Sequence, residues 1–201
     1  MSQVTLVPER FTLVPFDADE VIAVLEDAAA LVGFPTDVDI VLEVDEELFP
    51  PLVGLAADVV DGVARLWISG ANLEDVRRPR HFAPDRARFD LTILLLRAKD
   101  RLGEAFSDAP LDAQLTLAER AVWDAWSEGR AGRLGLPTRR QRRVYDFRLQ
   151  HGFTDAADAV FERVWDAETL AWGAIREACK ETGAVDRPPA RVAVDLLRQR
   201  D

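Results

Sequence analysis

Apolar positions in this chain switch between two periods. From Asp17 they fall with helical spacing: Val21, Ile22, Val24, Leu25, Ala28, Ala29 and Val32 line one face, and the run stops at Gly33 with Pro35 beyond. That spacing predicts an amphipathic helix from Asp17 to Val32. The period then shortens to two, as Val38, Ile40, Leu42 and Val44 alternate with Asp37, Asp39, Glu43 and Asp45, which predicts a half-buried strand with one acidic face. Residues 52–70, "LVGLAADVVDGVARLWISG", hold two apolar runs around Asp61-Gly62, a dipeptide that tolerates positive φ in a tight hairpin. The opening "VTLVPERFTLVPF" is rich in strand formers but broken by Pro8, so an irregular edge strand is expected; "EELFPP" is expected to be a loop.

After Gly70 the signals are helical. "ANLEDVRRPRHF" reads as a polar connection, and Pro84 suits the first position of a long helix reaching about Phe106. Thr116 with Glu119, and Thr138 with Gln141, have the spacing of capping boxes. Helices are further expected over 154–165 and 167–182, the second closed by Gly183, and "DRPP" sets apart a short amphipathic segment, "ARVAVDLLRQR". The pattern predicts one α+β domain over residues 1–201. Its small mixed or antiparallel sheet of three to five strands comes from residues 1–70, covered by a helical portion, 84–183, with a helical tail at 188–201.

The order of these elements resembles the minimal zincin-like metallopeptidases over about residues 17–106. The likeness lies in a helix, the acidic strand "VLEVDEE", the segment "PPLVGLAAD", the strand "VARLWIS" and the long helix with "LTILLLRAKDRLG". That family carries H-E-x-x-H on the long helix, because two histidines one turn apart face one metal. The comparable stretch here is Leu96, Arg97, Ala98, Lys99 and Asp100, with no imidazole. The resemblance therefore implies a zincin-like shell without its metal, and no ligand or catalytic residue carries over.

Composition narrows the chemistry. A chain of 201 residues, 48% hydrophobic, can bury a substantial core, and no apolar run approaches the roughly 20 residues that cross a bilayer. The start of the sequence lacks a basic stretch followed by a longer apolar one, so a cytoplasmic protein is expected. Cys179 is the only cysteine, and with two histidines it leaves too few soft ligands for structural zinc. No metal and no cofactor are expected.

Charge is unevenly distributed within the net −11. Residues 1–69 hold fourteen acids and two bases, Arg10 and Arg65, whereas residues 70–201 hold twenty-two acids and twenty-three bases. Two basic segments stand out. One, "LPTRRQRRVYDFRLQHGF" (136–153), would place Arg139, Arg140 and Arg143 at the positive end of a helix dipole, where an anion could relieve the conflict. Its bland alternative pairs Arg142 with Asp146, leaves the other arginines to the acidic half or to water, and buries Val144, Phe147 and His151. The other segment runs through Arg77, Arg78, Arg80 and His81 into the long helix.

Competing chemistries are poorly served. Gly129, Gly132 and Gly135 follow a helix rather than a strand and read as a helix end and turn, not a phosphate loop. Asp124 and Glu128, one helical turn apart, read as solvated surface, and no G-x-S-x-G is present. A sequence pI near 4.7 and the lack of a recognisable motif argue against nucleic acid. The reading that follows is a non-catalytic protein working through a protein partner or a second copy, without membrane insertion. Its first rival is an anion-binding or hydrolytic pocket lined by Arg78, Arg80, His81, Arg139, Arg140 and Arg143, and its second is nucleic-acid binding through the same arginines.

Overall fold

A computed structural model describes residues 3–48, 50 and 53–185. The expected tail at 188–201 lies outside the described residues. The chain forms a mixed α+β fold, with its strands in the N-terminal part, and divides into two compact units at Leu102 and Gly103.

In the first unit a four-stranded sheet has the order β1 (Val4–Val7), β2 (Ile40–Asp45), β4 (Val63–Ser69), β3 (Leu55–Val60). β1, β2 and β4 are parallel and β3 is antiparallel to β4. Helix α1 (Ala18–Val32) makes the crossover from β1 to β2. Its ends are those the sequence predicts: the Asp17 side chain accepts from the Asp19 N–H at 2.9 Å, and Gly33 closes it at φ 59°. The β3–β4 hairpin turns at Asp61 and Gly62, with φ of 53° and 77°. Pro8 follows directly on β1, which lies at the sheet edge, where a missing N–H costs least.

Helix α3 (Pro84–Leu102) packs on α1 and β3. The sequence pattern groups it with the helical remainder, but its residues 91–98 are all buried and it belongs to the first unit. On α3, Lys99 Nζ donates to the Val32 carbonyl at 2.7 Å, at the end of α1. Two residues on, Arg101 pairs with Asp58 of β3 at 3.4 Å.

The segment expected as a polar connection is structured. Helix α2 (Gly70–Leu73) is fully buried, and a second, two-stranded sheet joins β5 (Glu74–Asp75) to β6 (Arg78–Phe82). Periodicity missed this hairpin because its anchors are few. Phe82 rests against Phe16 at 5.6 Å, while residues 76–81 are exposed and carry no apolar alternation.

The second unit is helical: α4 (Leu117–Arg133), α5 (Arg140–His151), α6 (Asp155–Asp166) and α7 (Trp172–Glu181). α4 packs against each of the other three. Its core is aromatic, with Trp123 against Phe106 at 4.8 Å and Trp172 at 6.0 Å, and Phe161 against Phe147 at 5.4 Å. The Thr116–Glu119 capping box forms as expected. Two helix starts differ from expectation. Thr138 does not cap α5, which starts at Arg140 without a side-chain cap, because a carboxylate from α4 takes that place. α7 starts at Trp172 rather than near Ala167, because the Ala167 carbonyl instead accepts from Trp126 Nε1 at 3.0 Å and Arg133 at 2.7 Å.

Gly129 is not a helix end but an interior contact of α4. A Cβ built there would stand 2.2 Å from the Trp165 carbonyl oxygen of α6, so the absent side chain sets how closely the two helices approach. Gly129→Ala is therefore expected to destabilise the second unit by about 1–3 kcal/mol, despite the roughly 1 kcal/mol helix preference of alanine. Urea unfolding followed by tryptophan fluorescence checks the sign; an unchanged or raised midpoint contradicts the close-approach reading.

Candidate interaction surfaces

Arginines of α5 are answered from inside the second unit. Glu128 on α4 is 3% exposed; its Oε1 accepts the Arg139 backbone N–H at 2.9 Å and its Oε2 accepts Arg143 Nε at 2.6 Å. One carboxylate thus occupies the helix N-terminus where the sequence suggested a bound anion. Asp124, one turn earlier, lies 3.5 Å from Arg143. Burial opposes the charge on Arg143, but Asp124 and Glu128 outweigh it and hold the guanidinium above its ordinary pKa. The pair read as solvated surface is therefore an ion-pairing site, a role that i, i+4 spacing alone could not distinguish.

The other α5 arginines follow the same rule. Arg140 pairs with Glu162 of α6, Arg148 makes two bonds to Asp158 at 2.7 and 2.5 Å, and Arg142 reaches Asp146 at 3.8 Å. Most of these carboxylates lie on the neighbouring helices α4 and α6 rather than in the acidic first unit, because α5 packs directly on both.

His151 closes α5 and is 3% exposed. Its Nε2–H donates to the Ala118 carbonyl at 3.0 Å, which leaves Nδ1 to accept from the Thr182 hydroxyl at 2.8 Å. Its ring stacks on Phe147 at 4.0 Å. Burial lowers the pKa of this imidazole, opposed in part by the carbonyl contact. The histidine is a satisfied core residue that ties the end of α5 to the start of α4 and the end of α7.

The hairpin in the first unit is different. Arg78, Arg80 and His81 lie on β6, next to Arg77 and the 72% exposed Val76. Arg77, Arg78, Arg80 and His81 are all exposed, and among the described residues the three guanidinium groups meet no carboxylate. The backbone beneath them is held. Glu74 Oε2 accepts the Arg80 N–H at 2.9 Å, Asp75 Oδ1 accepts the Arg77 N–H at 2.8 Å, and Arg80 sits at φ 63°. His81 Nδ1 donates to the Pro79 carbonyl at 3.1 Å. The six residues named as a pocket lining thus fall into two sets, Arg78, Arg80 and His81 in the first unit and Arg139, Arg140 and Arg143 in the second.

Elsewhere the acidic residues serve the backbone. Glu46 Oε2 accepts the N–H groups of Thr12, Leu13 and Val14 at 2.7, 2.7 and 3.3 Å, and Asp39 accepts that of Gln3 at 2.8 Å. Among the described residues no three His, Cys, Asp or Glu side chains converge as metal ligands, and no helix is long and apolar enough to cross a membrane. A shallow depression of about 460 Å³ between α6 and α7 is lined by Val164, Leu170 and Ala178, and Arg163 at its rim is held by Glu181 at 2.5 Å.

No family model, curated protein or solved structure matches this chain.

Glu128→Ala strands a largely enclosed guanidinium and the α5 N-terminus, so it is expected to cost about 3 kcal/mol. Glu128→Gln should cost less by keeping one acceptor. Chemical denaturation of both variants tests the ranking, and equal, negligible losses contradict it. His151 adds a pH dependence. The unfolded chain takes up a proton near pH 6.5 whereas the folded state resists it, so stability should fall as pH drops below about 6.5. Comparing melting temperatures at about pH 7.5 and about pH 5 for wild type and His151→Gln isolates this contribution; identical pH slopes would rule it out.

Proposed function

We propose that this chain is a non-catalytic interaction protein that docks on an acidic surface of a partner protein through the β5–β6 hairpin. The observation that carries this reading is the contrast between two arginine sets. Those of α5 are consumed by Glu128, Asp124, Glu162, Asp158 and Asp146, whereas Arg77, Arg78 and Arg80 are exposed and, among the described residues, without an acidic partner in a chain of net charge −11. Free guanidinium groups on a braced hairpin supply planar, bidentate donors for carboxylates. Side chains this exposed are placed to meet a partner's surface rather than to enclose a small anion. Nucleic acid is disfavoured, because the net charge repels polyphosphate and the exposed stretch 76–81 has no large aromatic ring for a base to stack on. A cytoplasmic setting and a metal-free zincin-like shell belong to the same reading. The element order from α1 to α3 supports the shell, and a lone, half-buried cysteine suits the setting.

A labelled polyglutamate peptide, followed by fluorescence anisotropy, tests the docking surface. Wild type should bind, more weakly as salt shortens the screening length to about 8 Å. Replacing Arg77, Arg78 and Arg80 together by alanine should weaken binding by roughly tenfold, since each exposed pair contributes about 0.2–1 kcal/mol. Arg140→Ala, already engaged by Glu162, should change little. Equal binding by the triple variant sinks the reading, and tighter retention of duplex DNA than of polyglutamate replaces it with a nucleic-acid role.

A further inference from the structure

The depression between α6 and α7 has apolar walls, among them Val164, Leu170, Ala174 and Ala178, while the polar residues of its lining, Arg163, Thr169 and Glu177, are all exposed. Among the described residues it therefore offers no buried polar group to orient a small molecule. Ala174 and Ala178 stand one helical turn apart, so small side chains form a trough on α7 of the kind that receives the apolar ridge of another helix. We infer that residues 190–200 of the same chain dock in this groove as a helix running antiparallel to α7.

The place where the described chain ends selects this occupant. Gly183 follows α7 at φ 63°, and the Ala184 N–H returns to the Cys179 carbonyl at 3.0 Å, so the chain leaves α7 beside Ala178, the last α7 residue of the lining. Residues 186–201 continue from there. Pro188 and Pro189 suit a break rather than an extension of α7, and residues 186–189 reach at most about 13 Å, enough to turn back onto the groove. Beyond them Ala190, Ala193, Val194 and Leu197 fall at i, i+3, i+4 and i+7, a single apolar face, and Asp195 has the spacing to pair with Arg191 or Arg198 on another. A helix over 190–200 is about 16 Å long, close to the roughly 15 Å of α7. Running back along α7, it brings its basic end, Arg198 and Arg200, toward Glu168, which is exposed and meets no base among the described residues. A short tether also gives this segment a local concentration on the order of millimolar, which a free partner must exceed. This contact lies in the second unit and does not rest on the hairpin's docking role.

Hydrogen–deuterium exchange of the full chain, read by mass spectrometry, tests the contact. Amides of residues 192–200 should exchange at least about tenfold more slowly than those of an unstructured peptide. Leu197→Asp, on the docking segment, and Ala174→Arg, on an exposed wall of the groove, should each remove that protection. Circular dichroism should show both variants folded. Thr169→Arg, at another exposed position of the lining, replaces Ala174→Arg in the comparison if the latter does not fold. Unprotected amides in the wild type overturn the inference, as does protection that survives Ala174→Arg, since the segment then covers another face or stands alone. Protection that grows with protein concentration overturns it too and assigns the groove to a second copy.

Discussion

A buried carboxylate must find donors for its oxygens, and Glu128 meets this constraint with the first N–H of one turn and a guanidinium of the next. Much of the second unit follows from that. The contact fixes where α5 begins, binds it to α4, and fills a helix N-terminus that would otherwise attract an external anion. Its value is not net stabilisation, since taking two charges out of water offsets most of their attraction. It lies in favouring one placement of α5, in which the Arg139 N–H and the Arg143 guanidinium reach the same carboxylate.

The first unit uses its excess of acid in a related way. Glu46 gathers three successive backbone N–H groups, Asp39 takes one near β1, and Glu74 braces Arg80 in a left-handed backbone conformation. Part of the acidity is thus spent on the irregular backbone around the sheet, where ladder hydrogen bonds are not available. The hairpin's bases are left outside this economy. Their backbone is anchored while their side chains face water, an arrangement that presents charge without the ordering cost of a mobile loop. On α5 the reverse holds: charge is neutralised and apolar surface is left outward.

Legibility in the sequence tracked how local each signal was. Helix α1, strand β2 and the Asp61-Gly62 turn were readable because their period, caps and turn chemistry sit within a few residues. The β5–β6 hairpin escaped because it is held by Phe82 on Phe16 and by Glu74 on Arg80, contacts that leave no alternation behind. The α5 cap was misplaced for a similar reason. Thr138 and Gln141 have the right spacing, but α5 starts at Arg140 with Arg139 as its cap residue, whose N–H goes to Glu128 eleven positions upstream. The acid pair Asp124 and Glu128 shows the same limit, since a helix face has no orientation until another helix packs on it.

The sequence by itself determined the α+β class, the strands in the first third, the helices after them, the absence of a histidine pair on the long helix, and the concentration of arginine into two segments. Only the tertiary structure decided which arginines are neutralised and which remain available. Periodicity and caps are properties of neighbours in the chain. Ion pairing depends on which helix faces come within about 4 Å of each other, and packing alone sets that distance.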